Sequence, residues 1–229
     1  MFDFLKRNKV FIIVVIATLV LLLGGIFLFT KNSGNPNQAT VNSSLLMPQN
    51  AVETSGIVNG NYLPATPSAT VTLVEFGDYE CPACGAYHPL VKQALTDLAG
   101  KFNFVFRNFP LTQHANAPIS SYAAEAAALQ GKFWLMHDKI YETQNDWSNS
   151  TDARSIFIGY AKDLGLDVTK FTSDIDSAAV KNNVQSDLND GLTIGINQTP
   201  TFYLNGQVLN LTGSTNEIEQ DVQNALGSK

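Results

Sequence analysis

Val71-Thr72-Leu73-Val74-Glu75-Phe76-Gly77-Asp78-Tyr79-Glu80-Cys81-Pro82-Ala83-Cys84 is the stretch from which the rest of the chain is read. Its first half is a short β-branched and aromatic run, the composition of a strand. Its second half opens a helix that runs to about Ala99. Pro82 suits the first helical position, where no N–H is needed. Tyr87, Leu90, Val91, Leu95 and Leu98 then recur at helical spacing, and Gly100 stops the run. Phe102 to Phe106 reads as a second strand. Strand, helix and strand at this spacing predict a βαβ unit with a parallel pair. One residue is out of place: Glu75 puts a carboxylate inside a strand.

Downstream, four helical stretches follow: Ala117 to Gln130, Phe133 to Gln144, Thr151 to Leu164, and Asp167 to Asn189, the last with Val180, Val184 and Leu188 spaced by four. Strands resume at Thr201-Phe202-Tyr203-Leu204. Asn205-Gly206 is a strong hairpin signal, with Gln207 to Leu209 as the return strand. Ser214-Thr215-Asn216-Glu217 has the pattern of a capping box and opens a last helix to Leu226. The order is β-α-β, several helices, then β-β-α. It predicts an α/β domain over 68–229 with a helical insertion at about 112–194.

Upstream the character changes. Val10 to Phe29 holds no charge and is long enough to cross a bilayer. Lys6, Arg7 and Lys9 precede it, which orients residues 1–9 toward the cytoplasm and everything after the span outside. A cleaved signal peptide is the competing reading, but its apolar core is shorter and ends in a small-x-small site. The expectation is an uncleaved signal-anchor transmembrane helix over 10–29. Residues 30–67, rich in Asn, Ser, Thr, Pro and Gly, read as a flexible extracytoplasmic linker, with Ser55 to Leu63 as its one candidate edge strand. The chain has 229 residues and a formal charge of −6. That balance offers nothing to neutralise phosphates, so no nucleic-acid partner is expected. Two cysteines exclude a disulfide-dense scaffold and a zinc ribbon.

Both cysteines lie in Cys81-Pro82-Ala83-Cys84, where strand meets helix. Residues three apart in a first helical turn have Cα atoms about 5–6 Å apart, within reach of a disulfide. Cys81 falls at the N-cap, where unsatisfied N–H groups and the positive end of the helix dipole favour a thiolate. Cys84 lies one turn in and should be more buried. Thiol–disulfide exchange needs this asymmetry: Cys81 the exposed nucleophile, Cys84 the resolving thiol. Two other readings stay open. The pair is also half of a metal site, with His88, His114 or His137 to complete it, or a structural disulfide closing a very short loop.

These residues resemble the active-site strand and helix of DsbA-like thioredoxin-fold proteins. Thr199-Pro200-Thr201-Phe202 with Asn205-Gly206 resembles that family's cis-proline loop and hairpin. The insertion, Arg107-Asn108-Phe109-Pro110-Leu111 and Gly131-Lys132-Phe133-Trp134 are similar too. The resemblance implies a thioredoxin-like fold and a protein thiol:disulfide oxidoreductase. It implies a cis Pro200 beside the cysteines. The Thr199 backbone, with Pro82 and Ala83, would then receive an extended substrate segment. It implies that Glu75 is a buried acid with a raised pKa that exchanges a proton with Cys84, unless Glu75 points to solvent. No cofactor and no metal are implied, since the disulfide is itself the redox group. The implied partners are exported cysteine-containing proteins and a quinone-linked membrane reoxidant. One departure matters: the most oxidising members carry His where this chain has Ala83, and Asp78 and Glu80 lie nearby, so a less acidic Cys81 is expected. A reductase or isomerase using the same site is the alternative, and a metal-binding or chaperone module is the more distant one.

Overall fold

The computed structural model describes residues 41–48 and 51–228. The segments read as cytoplasmic, 1–9, and as a membrane helix, 10–29, lie outside the described residues. Among the described residues no helix is long and apolar enough to cross a membrane. The elements in chain order are α1 (Ser43–Leu46), β1 (Val52–Thr54), β2 (Gly56–Val58), β3 (Asn61–Leu63), β4 (Thr72–Gly77), α2 (Pro82–Asp97), β5 (Asn103–Asn108), α3 (Ala117–Ala128), α4 (Phe133–Glu142), α5 (Gln144–Trp147), α6 (Ala153–Asp163), α7 (Val168–Asp174), α8 (Ala178–Thr193), β6 (Thr201–Leu204), β7 (Gln207–Val208) and α9 (Glu217–Gly227).

Five strands form one sheet in the order β1-β5-β4-β6-β7. β4 and β5 are parallel, joined through α2, and the other pairs are antiparallel. The β6–β7 turn has positive φ at both Asn205 (50°) and Gly206 (83°), the conformation that an Asn-Gly hairpin requires. Alternation along the central strands assigns the two faces. Leu73 of β4, Phe104 and Phe106 of β5 and Phe202 of β6 join the larger core with α2 and the insertion helices. Val74, Phe76, Val105 and Tyr203 face the other way, into a smaller core with Leu46, Phe109 and Ile196. Both faces are covered, which is why these strands are apolar throughout and leave Glu75 among buried neighbours.

Two boundaries differ from the sequence reading. Among the described residues, the folded unit takes in 41–48 and 51–67 as well as the residues from 68 onward. Part of the segment read as linker is structural: β1 pairs with β5 through Val52, Glu53 and Thr54, and β2 pairs with β3. The physical anchor is Arg107. Its fully buried guanidinium donates to Asp187 (2.6 Å) and Asp190 (2.6 Å) of α8 and to the carbonyls of Leu45 (2.7 Å) and Leu46 (3.0 Å). The second difference is a break in the helix expected over 167–189. Asp167 caps α7 on Lys170 N, and Ser177 caps a new helix, α8, on Val180 N.

Candidate active site

β4 ends at Gly77, and four residues connect it to α2. Asp78 ties this turn together. Its fully buried carboxylate accepts from Glu80 N (2.8 Å) and Leu111 N (2.9 Å) and lies 2.7 Å from His114 Nδ1. Its carbonyl accepts from Cys81 N (3.1 Å). Its own N–H points at Cys84 Sγ (3.5 Å). Glu80 accepts from Asn116 N at 2.5 Å. Both acidic side chains are therefore turned to donors of their own, while position 83, an exposed Ala, supplies no cation beside Cys81.

Cys81 is the N-cap of α2 and Pro82 its first residue. The Cys81 thiol donates to the Thr199 carbonyl at 3.4 Å. The two cysteines are free thiols and hydrogen bond to each other. The Cys84 thiol, donating to Cys81, is the main influence that lowers the Cys81 pKa. Burial opposes it. The Thr199 hydroxyl, buried and without another partner, and the N–H groups of Cys84 and Ala83 add to it, and the result is about 5. Cys84 is sealed, and burial first, then its bond to Cys81 and the Glu75 charge, push its pKa well up. One expectation is corrected: Cys81 is not an exposed side chain. It retains 7 % of its surface against none for Cys84, because the Thr199-Pro200 loop lies against it. Pro82 and Ala83 are the exposed pair beside it.

Glu75 faces the α2 side of the sheet, paired in register with Phe106 and Phe202. It is buried, its Oε1 has no hydrogen-bond partner, and burial followed by the Cys81 charge raises its pKa to about 8. The solvent-facing alternative for Glu75 is thus excluded. The Thr199–Pro200 peptide is cis. The loop borders a groove of about 400 Å³ walled by Tyr87, Phe202, Val208, Leu209 and Leu211.

Sequence reading missed three groups here. Gln144 of α5 donates to the carbonyls of Tyr79 (2.7 Å) and Cys81 (3.0 Å). The Tyr141 hydroxyl is buried without a partner and feels the charges of Cys84 and Glu75. The Asp78–His114 pair holds the turn. None has a local signal, since each contact joins the turn to the insertion or to the segment leading into it. His88, His137 and Asp138 place ligand atoms within 4.8 Å of one another, an arrangement of metal-ligating types. The Asp138 oxygens are already taken by the Tyr62 hydroxyl (2.7 Å) and the Lys92 ammonium (2.8 Å). A cation there would face that ammonium. None of the three completes a site with the cysteines in this group.

A dithiol split across the first turn of a helix, its outer sulfur against the cis-proline loop that precedes a hairpin, is the arrangement of a thioredoxin fold. A family model described as thioredoxin matches residues 60–224, and the chain belongs to that family. Among solved structures it is similar to a thioredoxin-like oxidoreductase from Silicibacter pomeroyi (22 % identity, TM-score 0.65, covering 82 % of this chain and 99 % of that one). It is also similar to oxidised BdbD from Bacillus subtilis (24 %, 0.61, 77 % and 98 %). At these identities the likeness is one of fold. Among curated relatives, a Na(+)/H(+) antiporter NhaA of Herminiimonas arsenicoxydans is 37 % identical over 153 residues, 65 % of this chain and 23 % of that protein. The chain thus matches less than a quarter of the length of such relatives.

Proposed function

We propose that this chain is a membrane-anchored, extracytoplasmic thiol:disulfide oxidoreductase that introduces disulfides into exported proteins. The observation that supports this best is the opposite tuning of two adjacent sulfurs, Cys81 held down to about 5 and Cys84 driven up. A stabilised Cys81 thiolate exists only in the reduced state, so it makes the Cys81–Cys84 disulfide readier to accept electrons. The charge-free run Val10 to Phe29 behind Lys6, Arg7 and Lys9 supports the anchor and its orientation. The matched segment also occurs in proteins named as Na(+)/H(+) antiporters, which is consistent with work at a membrane.

In the cycle, a substrate thiolate attacks Cys81 Sγ of the disulfide. The S–S bond breaks, and Cys84 leaves and takes a proton from Glu75, which is protonated at neutral pH. The substrate's second thiolate then attacks its own sulfur in the mixed disulfide and releases Cys81 as a thiolate. Two electrons pass from substrate to enzyme. An extended substrate segment lies over Thr199-Pro200 and in the adjoining groove. A quinone-linked membrane partner returns the enzyme to its disulfide form. No further cofactor takes part.

The test uses the full-length chain. Cys84→Ser should accumulate mixed disulfides with thiol-bearing exported proteins through Cys81, and Cys81→Ser should accumulate none. The reverse pattern overturns the assignment of the nucleophile. The reduction potential decides direction. A value of about −120 mV is expected, one of about −180 mV assigns the site to isomerisation, and one of about −270 mV assigns it to reduction.

A further inference from the structure

Gln144 reaches the active-site turn from the helical insertion, 63 residues along the chain from Cys81. Its two hydrogen bonds go to two carbonyl oxygens, those of Tyr79 and Cys81. Only the NH₂ end of an amide can meet two acceptors, so the orientation of the side chain is fixed and both of its donors are used. The carbonyl end, Oε1, then faces Gly85. A Cβ at residue 85 would lie 2.7 Å from Oε1 and 3.1 Å from Nε2. The absence of a side chain at Gly85, one residue after Cys84, is what lets the amide sit against the first turn of α2. The Cys81 carbonyl also accepts from Gly85 N (3.1 Å), so Gln144 and Gly85 hold the same oxygen from two sides.

We propose that Gln144 is a positioning residue of the exchange site, whose amide locks the Tyr79 and Cys81 carbonyls so that the N–H groups at the start of α2 stay aimed at the Cys81 sulfur. The idea rests on the exchange reading above and deepens it. Gln144 touches no reacting atom. It acts through the backbone of Cys81, whose φ of −69° and ψ of 122° set where the sulfur points. Without the clamp the turn relaxes, the Ala83 and Cys84 N–H groups lose their alignment, and the thiolate they favour becomes harder to form. A negative charge at the same place should be worse than a simple loss, since Gln144→Glu turns two donors into acceptors facing two carbonyls.

The experiment measures the pH dependence of Cys81 alkylation in the reduced full-length chain, by mass spectrometry, alongside unfolding by urea. Gln144→Ala is expected to raise the Cys81 midpoint by about one unit, a tenfold loss of thiolate stability that also lowers the reduction potential by about 30 mV. Gln144→Glu should raise it further. Gly85→Ala is the second variant and leaves Gln144 itself in place. It should raise the Cys81 midpoint by expelling the amide while the helix, given a better helix former, is no less stable. Acidity and stability then move in different directions, which a merely structural contact would not produce. In a Gln144→Ala background, Gly85→Ala should add nothing. Folded Gln144→Ala and Gln144→Glu chains with the wild-type midpoint overturn the proposal, as does a Gly85→Ala shift that persists undiminished without Gln144. A wild-type Cys81 midpoint near the ordinary value for a thiol, with no exchange activity, instead overturns the exchange reading itself.

Discussion

Glu75 and Cys81 load the same site in opposite senses. The Cys81 thiolate is favoured in the fold, with its pKa lowered from 9.0 to about 5. The reduced protein therefore gains stability from this group as pH rises from about 5 toward 9. Glu75 is raised from 4.5 to about 8, chiefly by burial. Its contribution is fully present below 4.5 and is lost as pH rises through about 8. Over the shared window the two slopes nearly cancel. Glu75→Gln removes one of them. Relative to wild type, the reduced variant should gain stability steadily between about pH 4.5 and 8, by ~3 kcal/mol of pH-dependent difference at pH 7. Urea unfolding of both reduced proteins at the two ends of that range checks it, and a difference that does not change with pH removes Glu75 from the role of buried acid. The positions of Cys81 and Cys84 were legible from a local rule, since a Pro at the first helical position fixes the cap. The face of Glu75 came only from the family resemblance, because β4 is apolar on both sides and its alternation carries no signal. The burial of Cys81 and the clamp of Gln144 were not legible, because they depend on Thr199 and on α5, which the chain brings back from far away.

At the scale of elements, the start of α9 shows how a nearly correct boundary can hide a different mechanism. The capping-box pattern Ser214 to Glu217 places the helix start to within two residues, yet the cap is Asn216 and its side chain makes no capping bond. Glu217 instead accepts from Thr212 N (2.6 Å), Thr212 Oγ1 (2.9 Å), Gly213 N (2.8 Å) and the Tyr87 hydroxyl (2.9 Å). Some desolvation pushes its pKa up, but these donors outweigh it and hold it down to about 2. The bonds tie the loop after Leu211 to α2, and Tyr87, Leu209 and Leu211 are walls of the groove beside Thr199-Pro200. Glu217 is thus a brace for the surface that is to receive substrate. Glu217→Ala should raise KM for a protein substrate several-fold while leaving the rate with a small dithiol unchanged. An equal effect on both substrates would mean that the loop shapes the cysteines rather than the groove. Because the carboxylate stays ionised to about pH 2, the brace should not vary with pH across the physiological range.

For the molecule as a whole, the order β-α-β, helices, β-β-α was legible from periodicity, and the sheet realises it. The N-terminal boundary was not. Residues 43–63 are rich in Asn, Ser and Gly, carry almost no charge and show no sustained period, so they read as linker. Their role becomes visible only against Arg107, a buried cation that needs acceptors and finds two of them in the carbonyls of Leu45 and Leu46. Leu46 and Ile57 are themselves buried, at 3 % and 7 % exposure, and β1 covers an edge of β5. A chain starting at residue 68 would lose the transfer energy of two buried aliphatic side chains, about 1.5–3 kcal/mol each. It would also leave Arg107 short of partners and expose the β5 edge. A chain starting at residue 40 keeps all of these contacts. Chemical denaturation of the two should differ by at least ~4 kcal/mol, with the shorter one prone to associate through β5. Arg107→Ala in the longer chain should reproduce much of the loss, about 3–5 kcal/mol, because it strands the buried Asp187 carboxylate. Equal stability of the two chains would return residues 43–63 to the status of a tether.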